Sequence, residues 1–450
     1  MKDINRRDFL KISGAGAIGI GVASCTGKTG QANAASTKSD DRGPEQMEYR
    51  KCGEDTVSLL GYGCMRWQMI KDENGRDIID QNSVNELVDY AIAHGVNYFD
   101  SAPIYLQGQS ERATAKALLR YPRDSYFIAT KLSNQRGARS YEESVAMYRQ
   151  SLANYETDHL DYYLLHAISG LKNFEERFVD NGVLDFLLEE RRKGHIRNLG
   201  FSFHGNAEGF AELVALHEKY HWDFVQIQMN YVDWTHANGE ADAEYMYKLL
   251  DEREIPIVIM EPLLGGRLAN LPGPVAERLK GKEPSKSIAS WSFRFSGSHP
   301  RVLSILSGMT YMENLEDNVD TFTHFKPLDE DDFKFLDEMA LMIRDYPLIN
   351  CNMCQYCMPC PYGIDIPNIF KYYNDTINNG TFVQNAEQEN YQKLRKRYLT
   401  GYNKAIETIR QADHCIACNQ CSPHCPQSLR IPRELQRIDE YIEKLKQGKL

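Results

Sequence analysis

Eight of the eleven cysteines crowd into the last hundred residues, in two runs: CNMCQYCMPCPYGIDIP from Cys351 and CIACNQCSPHCPQSLRIP from Cys415. The second reads C-x2-C-x2-C-x3-C-P, whereas the first has two residues rather than three between Cys357 and Cys360. Three thiolates set this closely wrap one face of an iron–sulfur cube, and the fourth ligand comes from elsewhere, commonly from the other run. The pattern predicts two [4Fe-4S] clusters. One would take Cys351, Cys354, Cys357 and Cys425, the other Cys415, Cys418, Cys421 and Cys360. Structural zinc pairs its ligands as two C-x2–4-C halves, which three-in-a-row twice over does not match. Disulfides match it still less.

A second set of chemistry-bearing residues lies upstream. VNYFD closes on Asp100 and is followed by SAPIY with Tyr105, YFIATK closes on Lys131, and LDYYLLH closes on His166. Each alone could be a solvated cap. An acid, a phenol, an amine and an imidazole at three successive strand ends would instead converge on one mouth.

The elements that must position them read as strand and helix in alternation from Met47 to about Lys326. After a first hairpin, EYRKCGEDTVS, come LLGYG, VNYFD, YFIATK, LDYYLLH, IRNLGFS, FVQIQMN, IPIVIME and VLSIL. Between them lie amphipathic stretches such as NELVDYAIAHG, EESVAMYRQSLANY and EYMYKLLDERE. Eight strand–helix units over roughly 280 residues predict an α/β (β/α)8 TIM barrel with its site at the C-terminal strand ends. The insert between the cysteine runs carries helical periodicity in IPNIFKYY and YLTGYNKAIETI. The expected organisation is a barrel over 47–345 and a small, mostly α-helical, ferredoxin-like domain over 346–450.

NYFDSAPIYLQGQSE, IATK, DYYLLH and RRKGHIRNLGFS resemble the aldo-keto reductases across essentially the whole middle region. With the cluster-bearing tail, the chain resembles the bacterial branch of that family fused to a dicluster ferredoxin module. The resemblance implies a catalytic tetrad of Asp100, Tyr105, Lys131 and His166 and a small carbonyl or alcohol substrate. Tyr105 would protonate the carbonyl oxygen as a nicotinamide delivers hydride to carbon. A phenol with a pKa near 10 is a poor acid at neutral pH, so Lys131 is expected to favour its phenolate, held in place by Asp100. His166 would orient the carbonyl from the other side.

The resemblance also implies an NAD(P)(H) site at Ser202, Gln228, Met260, Gly308 and Asn318, with Gln226 on the same strand face as Gln228. Here the pattern is altered. Phe203 and His204 follow Ser202, where the family has Asn, and Met260 replaces the stacking aromatic. Gly308, Met309 and Asn314 stand where Lys, Ser and Arg would meet a 2′-phosphate. None brings a cation, so a preference for NADP is not expected. Trp67 and Trp234 could wall a substrate pocket or simply pack; Arg66 could meet an anion or close a salt bridge; His204 could face substrate or bond locally. The acidic run Asp329 to Asp332 reads as the first turn of a helix, where carboxylates suit the dipole.

The N-terminus opens with NRRDFLK and an uncharged run from Ile12 to Ser24, the layout of a twin-arginine export signal over 1–24. Val22-Ala23-Ser24-Cys25 resembles a lipobox, with Ala32-Asn33-Ala34 a competing cleavage site. A lipid on Cys25 and a polar tether over 25–46 would hold the body at the outer face of a membrane. That export route carries folded proteins, which suits clusters assembled in a reducing cytoplasm. The net charge of −11 argues against a nucleic-acid partner. A redox partner protein would exchange electrons with the clusters.

Overall fold

The computed structural model describes residues 46–134, 140–237 and 241–450. The expected signal, lipobox and most of the tether lie outside the described residues. The described residues form one compact unit.

Two strands, β1 (Tyr49–Cys52) and β2 (Asp55–Ser58), make the hairpin that precedes β3 (Leu60–Gly63). A small ribbon of β4 (Met69–Lys71) and β5 (Asp77–Ile79) follows. The remaining strands are β6 (Tyr98–Asp100), β7 (Phe127–Leu132), β8 (Leu160–Ile168), β9 (Ile196–Phe203), β10 (Phe224–Gln228), β11 (Ile257–Met260) and β12 (Val302–Ser307). With β3 they close an eight-stranded barrel in sequence order, every neighbouring pair parallel.

Strand alternation explains where the polar residues end up. Tyr98, Ala129, Tyr162, Leu164, Phe224, Val258 and Leu303 pack together inside the barrel, closed from below by Val57 of the hairpin. Two or four residues further along the same faces stand Asp100, Lys131, His166, Gln228 and Met260. The interior is thus apolar low in the barrel and polar at its C-terminal mouth.

Outer helices cover the strands' other faces. Among them is Tyr141–Tyr155, opened by a reciprocal cap between Ser140 and Glu143. Glu330–Arg344 begins on Asp329, whose carboxylate accepts from the Asp332 amide (2.9 Å), as the acidic run predicts. Its Leu336, Met339 and Ile343 join the barrel's outer core. From Ile349 a separate core starts. Ile369, Phe370 and Tyr373 of helix Ile366–Asn378 and Tyr398 of helix Tyr391–Ala405 pack with Ile438 and Ile442 of helix Ile431–Gln447. Among the described residues no helix is long and apolar enough to cross a membrane.

Candidate active site

Four strand-end residues meet at the mouth. Lys131 Nζ donates to Asp100 Oδ1 at 2.5 Å and to the Ser101 carbonyl at 2.7 Å, with both side chains of the pair buried. The same ammonium lies 5.0 Å from the centre of the Tyr105 ring, against its face. His166 meets that ring edge-on at 5.9 Å between centroids. Leu106 and Gln107, directly after Tyr105, both take left-handed backbone (φ 49° and 58°). Two adjacent non-glycine residues in that region are strained, each by about 1 kcal/mol or more, and strain of this kind collects at functional sites.

The electrostatics differ from expectation at Tyr105. Burial, then the neighbouring Tyr356 and Asp100, hold its phenol well above the usual tyrosine range. Lys131 spends its donors on Asp100 and a backbone carbonyl and presents its charge to the ring face. Tyr105 is a neutral phenol, a proton donor. Burial, with Lys131, Arg177 and His204 nearby, keeps the His166 imidazole neutral. Its Nδ1 is 2.6 Å from the Ser133 hydroxyl. Arg177, which the sequence pattern did not single out, is buried. It donates to the carbonyls of His166 (2.6 Å) and Ala167 (2.9 Å) and to Asn134 Oδ1 (3.1 Å), fixing the end of β8.

The residues expected to meet a nicotinamide nucleotide are already engaged. Ser202 Oγ accepts from the Ala167 amide (2.8 Å). Gln228 donates to Asp233 (2.7 Å), and its carbonyl oxygen accepts from Gln427 of the tail (2.8 Å). Asn318 donates to Ser307 (2.8 Å). A Cβ at Gly308 would lie 2.9 Å from Arg66 Cδ, so the space expected to admit a nucleotide holds Arg66 instead. Met260 is half-buried at the end of β11, followed by Glu261. Ser202, Gln228 and Asn318 carry hydroxyl and amide groups of the kind that hydrogen-bond a nicotinamide nucleotide, and Gln228 would exchange its bond from Gln427 for one to the carboxamide.

Arg66 donates to the Asn352 carbonyl (2.6 Å), and its charge lies near the Glu261 carboxylate. Trp67 lines the cavity above Tyr105 but is nearly all buried, stacked on Tyr62 and donating to Thr114 (3.0 Å). Trp234 packs among Phe295, His299 and Tyr247. His204 lines the cavity.

The tail presents its thiols in two groups. Burial, and then thiol neighbours among Cys351, Cys354, Cys357 and Cys425, push the first group upward, with Cys351 at about 11 and Cys357 at about 12. Cys421 is raised by burial and then by Cys415, Cys360 and Cys418. Cys421 also lies near Cys357, so the two groups adjoin. All ten described cysteines are free, so disulfides are absent among them. Both runs also share a backbone pattern. Met353 and Gln355 flank Cys354 with φ of 59° and 63°, and Ala417 and Asn419 flank Cys418 with φ of 56° and 57°. Left-handed residues alternating with others gather backbone N–H groups into concavities that suit an anionic cluster. The thiols and these backbone concavities fit iron–sulfur clusters.

The sequence profile of the Aldo/keto reductase family matches residues 59–341, and that of a 4Fe-4S dicluster domain matches residues 350–430. The chain is 24% identical over 321 residues to the uncharacterised oxidoreductase YqkF of Bacillus subtilis (strain 168), covering 64% of this chain and 95% of that one. It is 34% identical over 130 residues to D-arabinose 1-dehydrogenase of Saccharomyces cerevisiae, covering 26% and 36%. Among solved structures, an aldo-keto reductase from Bacillus halodurans in its holo form aligns with a TM-score of 0.53 at 20% identity, covering 66% of this chain and 97% of that one. One from Klebsiella pneumoniae in complex with NADPH gives 0.52 at 20%, covering 66% and 95%.

Proposed function

The chain belongs to the aldo/keto reductase family and is an oxidoreductase of that type with a 4Fe-4S dicluster domain, and on that premise we propose that it carries out NAD(P)-linked reduction of a carbonyl, or the reverse oxidation of an alcohol. The observation that carries the reading is the convergence of Asp100, Lys131, Tyr105 and His166 at one barrel mouth. When bound, the nucleotide supplies hydride. The chain's own residues handle the proton and the geometry. Tyr105, kept neutral by burial, gives its proton to the carbonyl oxygen. Lys131, fixed by Asp100, sets positive potential against the Tyr105 ring and so favours the transient negative charge left on its oxygen. His166, neutral and edge-on to Tyr105, orients the carbonyl.

Cys351, Cys354, Cys357 and Cys425 would hold one cluster, and Cys415, Cys418, Cys421 and Cys360 the other; their chemistry is one-electron storage and exchange with a redox partner protein. Export by the twin-arginine route and a lipid on Cys25 would place this activity at the outer face of a membrane. A second reading, an electron-transfer subunit with the barrel as docking module, is favoured by Gln427 seated on Gln228. Nucleotide content separates the two. Protein purified without oxygen and denatured releases NAD(P) in near-stoichiometric yield, or binds it on addition, under the first reading. Intact iron with neither release nor binding supports the second.

A further inference from the structure

The cavity over the tetrad, about 2020 Å3, has walls from both ends of the chain. The barrel contributes Tyr105, Trp67 and Ile104; the tail contributes Met353, Tyr356 and Met358 from its first cysteine run. We propose that Tyr356, carried between two cluster-ligating cysteines, is a residue of the active site: it closes the substrate pocket, and its hydroxyl stands where a substrate's carbonyl oxygen binds. The proposal rests on the reading of Tyr105 as the proton donor.

Tyr105 and Tyr356 face the same cavity and are hydrogen-bonded to one another. With Tyr105 as the proton donor, the Tyr356 oxygen occupies the place that a substrate's carbonyl oxygen would take. The loop bearing it is tied to the barrel through Asn352: Arg66 donates to the Asn352 carbonyl (2.6 Å) and Asn352 donates to Glu261 (2.8 Å). Its approach is so close that a Cβ at Gly265 would lie 2.2 Å from the Asn352 oxygen, and Gly265 has a φ of +68°. Only glycine serves there.

The second cysteine run is an internal control. It repeats the left-handed pattern and lines the same cavity through Ala417 and Asn419, but its position equivalent to Tyr356, Gln420, is exposed and does not line that cavity. The position equivalent to the buried Asn352 is Ile416, 60% exposed. The loop's conformation therefore demands neither residue. Tyr356 and Asn352 are accounted for by the face they meet, the barrel mouth. A substrate entering the cavity takes the Tyr105 hydrogen bond and displaces the Tyr356 hydroxyl.

A nitrile probe reads this contact without turnover. With 4-cyanophenylalanine at position 356 of the full, cluster-loaded chain, the infrared band should lie at higher wavenumber when Tyr105 is present than in a Tyr105→Phe background. The same probe at position 420 should show no such difference. Coincident bands at position 356 overturn the proposal. In the unlabelled chain, Tyr356→Phe should keep its iron and lower KM for 4-nitrobenzaldehyde about 2- to 10-fold, because a competing hydrogen bond worth about 0.5–1.5 kcal/mol is gone. An unchanged KM contradicts displacement by substrate. A nitrile shift without any carbonyl turnover upholds the contact and counts against the carbonyl reading instead.

Discussion

Replacing Asp100 by Asn tests the electrostatic centre of the site. The Asp100 carboxylate and the Lys131 ammonium are about as buried as side chains become, 3% and 1% exposed, with 2.5 Å between nitrogen and oxygen. Asp100→Asn leaves the ammonium facing a neutral amide and one backbone carbonyl. Removing one partner of a buried pair costs about 3–5 kcal/mol, because the remaining charge stays uncompensated. Lys131→Met should cost less. Burial already holds the Asp100 carboxyl above its usual range against the pull of Lys131, so without the lysine it takes up a proton and becomes neutral. The double variant should be more stable than Asp100→Asn alone, since replacing both members of such a pair is often close to neutral. Urea unfolding of all four proteins at pH 7, followed by circular dichroism with the clusters in one redox state, gives the cycle. Additive losses, or an Asp100→Asn variant as stable as wild type, would refute the reasoning.

Three further expectations follow from other contacts. Gln427→Ala frees the Gln228 carbonyl and should raise NADH affinity about 2- to 10-fold, one net hydrogen bond, by fluorescence titration; an unchanged or weaker affinity would separate Gln228 from the nicotinamide. His299, enclosed by Trp234, Phe295 and Phe333, is pushed down to about 4 by burial, below the unfolded value of 6.5. Its neutral form is the folded one, so stability is full above about pH 6.5 and falls by about 3 kcal/mol as pH drops toward 4. His299→Phe should flatten that acid limb in pH-dependent unfolding, and an unaltered limb would assign it elsewhere. Cys425→Ala should lose about half the iron and spare the cluster held by Cys415, Cys418 and Cys421; loss of that cluster instead would reverse the crosswise pairing.

The barrel was legible because its strands carry two signals at once. Tyr98, Ala129 and Tyr162 are apolar interior residues, and the same alternation delivers Asp100, Lys131 and His166 to the mouth. The cysteine runs were legible from spacing alone. What the sequence hid was contact between distant segments. Gln427 meets Gln228 across 199 residues, and Arg66 meets Asn352 across 286. Tyr356 looks like filler between cysteines until the loop is folded against Tyr105. A comparison of the two runs carried a trace of it, since a Tyr in one stands opposite a Gln in the other. Burial explains the misjudged Tyr105: adjacency to a lysine suggests a lowered phenol, but a desolvated ring whose lysine is turned to an aspartate is raised.

The most direct test of the account follows the hydrogen itself. The cluster-loaded chain, given nicotinamide nucleotide deuterated at C4 and a panel of aldehydes and ketones in ordinary water, should yield an alcohol with deuterium on the former carbonyl carbon. Tyr105→Phe should lose about 100- to 10,000-fold in rate while retaining its iron. Alcohol formed without deuterium, or turnover that survives Tyr105→Phe, would contradict hydride reduction at this tetrad.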